Sequence, residues 1–256
     1  DLPGQYVLSL RVVVPLAVSA EPAGQEGIAS MTARLLDEGT ASLGSDEFAE
    51  LMERHGMVLG AGVSDGGLLV DVDVSQRHLA TAAGLLTQAL AAPAFPEDEV
   101  RRILRNRLAE IEQERASSAH RASKEFARTL WDPADRASRP TGGTPESIGA
   151  LTRDDLVEFH ATHVGPDGAT VVVAGDLTDV DVLAVLEATL GTWSAPRHTP
   201  SARPVPPLPA ADAARVVVVD RPGSVQTEIV VGRPGPDRST PHGWAPHPVL
   251  SFVLGG

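Results

Sequence analysis

The sequence predicts an α+β fold, and three features of it do so. Runs rich in Val and Leu alternate with a period of two, as half-buried strands do. Segments with apolar residues three and four apart lie between them, as amphipathic helices do. An Asp-Gly pair joins two of the apolar runs, which is a strong short-range hairpin signal.

Residues 6–18, YVLSLRVVVPLAV, read as the first strand, with Pro15 near its end. Residues 26–38 switch to helical spacing through Ile28, Met31, Leu35 and Leu36, and Gly39 supplies a stop. Ser45 opens a capping pattern, S-D-E-F, for a helix that runs to His55 before Gly56. Residues 57–64 and 68–74 follow as two strands about Asp65-Gly66-Gly67. Leu68, Val70, Val72 and Val74 form the buried face of the second. An Ala- and Leu-rich helix over 76–91 ends before Pro93 and Pro96. A long helix over 97–130 starts with acids in its first turn. Residues 132–148 read as a loop. Thr152 caps a helix over 153–163, residues 169–174 form a strand, and a helix runs from 178 to 190.

Six prolines between 196 and 212 forbid a helix or a central strand there and read as a semi-rigid linker. Two strands, 214–219 and 226–231, and a helix over 244–254 come after it. Residues 1–195 are therefore expected to be a first α+β domain. Residues 213–256 are expected to be the beginning of a second, truncated one, too short to bury a core alone.

The chain has 256 residues, with 42% hydrophobic and 21% charged, ordinary values for a globular protein. No run of about 18 apolar residues suggests a membrane span. With no cysteine, thiol catalysis, disulfides and Cys-bound zinc are excluded, but the redox compartment is not fixed. A net charge of −13 argues against a general nucleic-acid partner, which needs a basic face. All but one of the basic residues are Arg, Lys124 being the exception, which reads as coding bias. A cytoplasmic location is the expectation, with a targeting segment upstream of Asp1 left open.

Neither H-E-x-x-H nor H-x-x-E-H occurs. His55, His78, His120 and His198 stand alone in the sequence, and His242 and His247 flank Gly and Pro. Only His160 and His163 have helical spacing. They are expected at the surface near a helix C-terminus, where a cation is electrostatically welcome. No G-x-S-x-G elbow exists, and Gly142-Gly143-Thr144 lacks the Lys of a phosphate loop. Asp154 and Asp155 read as first-turn acids.

The segment G-I-A-S-M-T-A-R-L-L-D-E-G-T at 27–40 resembles the one that carries H-x-x-E-H in the pitrilysin/insulinase family of zinc metallopeptidases, which includes the mitochondrial processing peptidases and bacterial relatives. The resemblance continues through L-M-E-R-H-G at 51–56 and A-A-P-A-F-P-E-D-E-V at 91–100. It is strongest at G-G-T-P-E-S-I-G-A-L-T-R-D-D-L, 142–156, and V-V-V-A-G-D-L, 171–177. It ends on V-L-S-F-V-L-G-G and covers essentially the whole chain.

The resemblance implies a sandwich of helices on a mixed sheet. It also implies that the zinc-site positions are degenerate. The first ligand His falls on Ser30, the general-base Glu on Ala33 and the second ligand His on Arg34. Glu110 stands at the third-ligand position, either as an ordinary surface Glu or as a partner for Arg34. No catalytic residue and no metal are then expected in this chain.

Family members work as two halves closed around a peptide-binding chamber, one with zinc and one without. The resemblance implies a zinc-free half or subunit, a homologous zinc-bearing partner and a peptide substrate. The other reading is a stand-alone pseudo-peptidase that acts as a binding or scaffold protein.

Overall fold

A computed structural model describes residues 4, 6–16, 18–64, 66–199, 214–233, 244 and 246–254. Strand β1 (Val7–Val14) sets the sheet, because every second residue of it, Leu8, Leu10, Val12 and Val14, is fully buried. Strands β2 (Val58–Ser64) and β3 (Gly67–Ser75) form the expected hairpin, in the register Ser64↔Gly67, with Asp65 outside the described residues. Strand β4 (Thr170–Ala174) closes the sheet in the order β2-β3-β1-β4.

The register places Val12 between Val70 and Val171, so all three strands turn the same parity toward the helices. Every pairing among the described residues is antiparallel, a correction to the mixed sheet that was expected. The tight connection between β2 and β3 permits no other sense, and β1 runs opposite to both of its neighbours.

Helices α1 (Ile28–Arg34), α2 (Ser45–Arg54), α3 (Leu79–Ala91), α4 (Glu97–Ala116), α6 (Pro145–Ala150), α7 (Arg153–His163) and α8 (Val182–Ala188) accompany this sheet. Helix α5 (Ser118–Leu130) and α9 (Pro246–Leu254) complete the set among the described residues. Leu8, Leu10, Val70 and Val72 share one core with Met31, Leu35, Leu86, Leu90, Ile111 and Leu156, which come from α1, α3, α4, α7 and the turn after α1.

Several boundaries differ from the sequence reading, each for a local reason. The helix expected over 26–38 is only α1. Gly27 has φ 95°, a left-handed backbone no helix continues through, and residues 35–38 tighten into turns before Gly39. The long helix over 97–130 breaks at Ser117, which has extended backbone and caps α5 by accepting the His120 N–H at 3.4 Å. Gly44, not Ser45, is the N-cap of α2, and its N–H donates to Glu47 at 3.1 Å. The loop over 132–148 hides the start of α6, where Thr144 and Ser147 cap each other and Pro145 takes the first helical position. The last helix of the first region is α8 rather than 178–190, with Asp181 as its cap.

The two strands expected at 214–219 and 226–231 do not form. Residues 214–233 make no ladder among the described residues, and Val216, Val218, Val225 and Val231 are each at least 85% exposed. Alternation describes a face that could be buried, and a strand exists only once a neighbour accepts its hydrogen bonds.

The described residues fall in two compact units. One is drawn from Asp1–Ala116 with Arg139–Val205, the other from Ser117–Ser138 with Pro206–Gly256. Within the second, Gly232 lies against the Phe126 ring so closely that a Cβ there would stand 2.6 Å from Cζ. Of the proline-rich segment 196–212, residues 200–212 lie outside the described residues, as does His242.

Candidate functional site

Helix α1 carries Ser30, Ala33 and Arg34 on one face, and the fold anchors it from several directions. Its first N–H groups have no partner inside so short a helix. The buried carboxylate of Glu21 accepts from Gly27 N–H and Ala29 N–H, both at 3.2 Å. Ser147 Oγ donates to Glu26 O at 2.7 Å, Arg139 pairs with Glu26, and Gln25 donates to Asp155 at 2.9 Å. Gly143 (φ 79°) sits so near Glu26 O that any side chain would overlap it. The G-G-T-P-E-S stretch, read as loop, is thus the mount for α1.

The structure brings Arg34 and Glu110 together. Arg34 Nη1 donates to Glu110 Oε1 at 2.7 Å, and each side chain is nearly two-fifths exposed. Of the two readings of Glu110, partner of Arg34 is the one observed. Its other oxygen, Oε2, accepts from Arg107 Nη1 at 2.9 Å. Arg107 also reaches Glu114, at 2.7 and 3.1 Å, and its Nε donates to Gly142 O at 2.9 Å. Ala33 is buried and Ser30 half-buried on the same helix.

Arg107 is 7% exposed, and the sequence reading missed it. A signal was available, since Arg107, Glu110 and Glu114 lie three and four apart on one helix face. The two-glycine motif was a second signal, because a Cβ at Gly142 would stand 2.5 Å from Arg107 Nη2.

Electrostatics follows this geometry. The hydrogen bond from Arg34, with a further one from Arg107, holds the Glu110 carboxyl below the ordinary carboxylate range against a smaller opposing effect of burial. Burial works against the Arg107 guanidinium, but bonds to Glu114 and Glu110 hold its pKa above the usual value.

Zinc does not fit these residues. Tetrahedral zinc takes imidazole, thiolate or carboxylate ligands, and here α1 offers a hydroxyl, a methyl and a guanidinium. The single carboxylate has both oxygens bound to cations. Among the described residues no three His, Asp or Glu side chains gather into a group able to hold a metal.

The histidines correct the sequence reading most. His160 is not at the surface but 8% exposed, with Nε2 at 3.0 Å from Leu90 O and its ring edge-on to Phe95. Burial pushes its pKa down from 6.5 to about 4. His163 packs on Phe159, ring centres 4.6 Å apart. Helical periodicity turns both rings toward the body of the protein, which outweighs the attraction of the helix end. His55 and His78, alone in sequence, meet edge-to-face at 4.7 Å.

Comparison with known proteins gives two family matches. Residues 3–134 match the insulinase family, peptidase family M16, and residues 150–256 match the peptidase M16 inactive domain. A Helicobacter pylori protein named non-peptidase homolog YmxG is 25% identical over 232 residues, 91% of this chain and 52% of that protein. A Mycobacterium leprae protein named an uncharacterized zinc protease is 31% identical over 118 residues, 46% of this chain and 26% of that one. This chain therefore spans about half the length of YmxG and less of the second.

Two solved structures share the fold. The peptidase M16 inactive domain from Pseudomonas fluorescens has a TM-score of 0.65 at 24% identity, covering 71% of this chain and 44% of that one. A protease from Helicobacter pylori has a TM-score of 0.71 at 21% identity, covering 81% and 50%. Among the described residues no helix is long and apolar enough to cross a membrane.

Proposed function

The chain belongs to the insulinase family, peptidase family M16, and from that membership we propose that it is part of a zinc-free half of a family peptidase. It would complete a peptide-binding chamber whose zinc is held by a homologous partner half, fused or separate. The observation that carries this reading is the Arg34–Glu110 pair. In the proposed alignment Ser30, Ala33 and Arg34 take the places of the ligand, base and second ligand, and Glu110 that of the third ligand. A guanidinium then neutralises the carboxylate where a metal would otherwise do so. The site keeps its charge balance and its helix packing while giving up hydrolysis.

The name of the Helicobacter pylori relative, a non-peptidase homologue, supports the same reading. The proposed organisation is a first domain over 1–195, a linker over 196–212 and the beginning of a second domain over 213–256.

The test uses the full-length protein and an H-x-x-E-H-bearing family member from the same cell. The two should co-elute, peptide cleavage should need both, and elemental analysis should assign zinc to the partner. About one zinc per chain in this protein alone, or cleavage by it alone, would overturn the proposal. Co-elution with no zinc-bearing relative would leave a stand-alone binding or scaffold protein.

A further inference from the structure

The last residue of α7 is His163, an imidazole remote from the α1 face in sequence. Residues 195–199 fold back onto that end of the helix. The Thr199 N–H donates to Thr162 O at 2.8 Å, the His198 N–H to Ala195 O at 3.0 Å, and Arg197 pairs with Glu158 one turn earlier. The His198 side chain is 0% exposed. Its ring rests on Gly165, where a Cβ would overlap Cγ. Both of its ring nitrogens are buried without a hydrogen-bond partner, and so is Nδ1 of His163 beside it.

We propose that His163 is the proton-sensitive part of a latch whose other part is the seated His198 ring. The latch fastens residues 195–199 to the end of α7 near neutral pH and releases them on acidification. A protonated His163 carries an N–H on Nδ1, and that atom is buried with no acceptor among its neighbours. The groups facing the pair are few. Asp167 Oδ2 is 3.7 Å from His198 Nδ1, too far for a hydrogen bond, and its side chain is 71% exposed, so water screens it. Arg197 adds a positive charge next in the chain, already committed to Glu158.

Burial, and after it the neighbouring His198, lowers the His163 pKa from 6.5. The sign follows: the open state binds protons more readily, so closure is complete above about pH 6.5 and weakens as pH falls below it. His160, on the same helix, faces Leu90 and belongs to the core rather than to the latch.

Amide hydrogen exchange of the whole chain, read residue by residue against intrinsic rates, tests this. Protection of the Thr199 amide should fall between about pH 7.5 and 5.5, by at most about tenfold, the limit for one imidazole of ordinary pKa one unit above the lower pH. The Val72 amide, in the central ladder, should keep its protection. The variant His163→Phe keeps a ring beside His198 but removes the proton-sensitive group, so Thr199 should stay protected at both pH values. Gly165→Ala needs no left-handed backbone but removes the seat of the ring. It should leave Thr199 unprotected already at the higher pH. Thr199 protection that ignores pH in the native chain, falls equally in His163→Phe, or survives Gly165→Ala would overturn the latch.

Discussion

Two Val-rich segments of this chain look alike as sequence and differ entirely as structure. In β1 the inward residues Leu8, Leu10, Val12 and Val14 are fully buried. In 214–219, A-R-V-V-V-V, Val216 is 87% and Val218 85% exposed. Both are rich in Val, a strong strand former, and each carries one Arg. The difference is that β1 has β3 on one side and β4 on the other, with helices across its inner face. Among the described residues, 214–219 has neither a ladder nor a cover. Propensity therefore measures fitness for a pleated, half-buried surface, and burial by neighbours supplies the free energy.

The sharpest way to break this comparison is to place a charge in each segment. Val12→Asp should cost about 4 kcal/mol or more, through an unpaired buried carboxylate, while Val218→Asp should stay within about 0.5 kcal/mol. Urea unfolding of the two variants reads the difference. Equal losses would mean that 214–219 is packed in solution.

The next effect concerns a buried imidazole. The folded pKa of His160 lies near 4 and the ordinary value is 6.5, so the unfolded chain binds the extra proton between them. Its contribution is complete above about pH 6.5 and declines by about 3 kcal/mol as pH falls to about 4. Unfolding midpoints should therefore drop more steeply with acid in the native chain than in His160→Gln. Parallel curves would place His160 outside the core.

A smaller contrast separates two arginines of α4. Arg107→Met strips the guanidinium from Glu110, Glu114 and Gly142 O in a buried place and should cost about 2 kcal/mol. Arg101→Ala breaks exposed pairs with Glu97 and Asp98 and should cost at most about 0.5 kcal/mol. Thermal melts of both variants decide it, and equal costs would mean that burial of Arg107 adds nothing.

The last contrast is read in metal binding rather than in stability, by rebuilding the α1 face. Ser30→His, Ala33→Glu and Arg34→His together remove one partly exposed ion pair, about 0.5 kcal/mol, and set a carboxylate where Ala33 is buried, a further cost of about 1–3 kcal/mol. They set two imidazoles opposite Glu110, with a fourth position open to water. Zinc titration should show binding that weakens when Glu110→Gln is added. Proteolysis is not expected, because the residues that orient such ligands are not built. Zinc affinity indifferent to Glu110 would separate the α1 face from the family's metal site.

Much of the fold was legible because its signals are local. The β2–β3 hairpin, the alternation of β3 and the Thr152 cap with Asp155 follow from a few adjacent residues each. The α1 face was legible through resemblance, and the Arg34–Glu110 pair was one of two open readings. Arg107, the mount formed by 142–147 and the burial of His160 were not read. Each depends on a partner far along the chain: Gly142 for Arg107, Glu26 for Ser147 and Leu90 for His160.

The sequence by itself determined the β2–β3 hairpin, the Thr152 cap, the absence of thiol chemistry and the absence of imidazoles from α1. These depend on backbone preference and on which atoms are present, and both are properties of short segments. Only the tertiary structure decided which apolar runs became strands, whether Glu110 met a cation, and which imidazoles lost water. Those outcomes depend on distance and dielectric between residues remote in sequence, and a linear pattern carries neither.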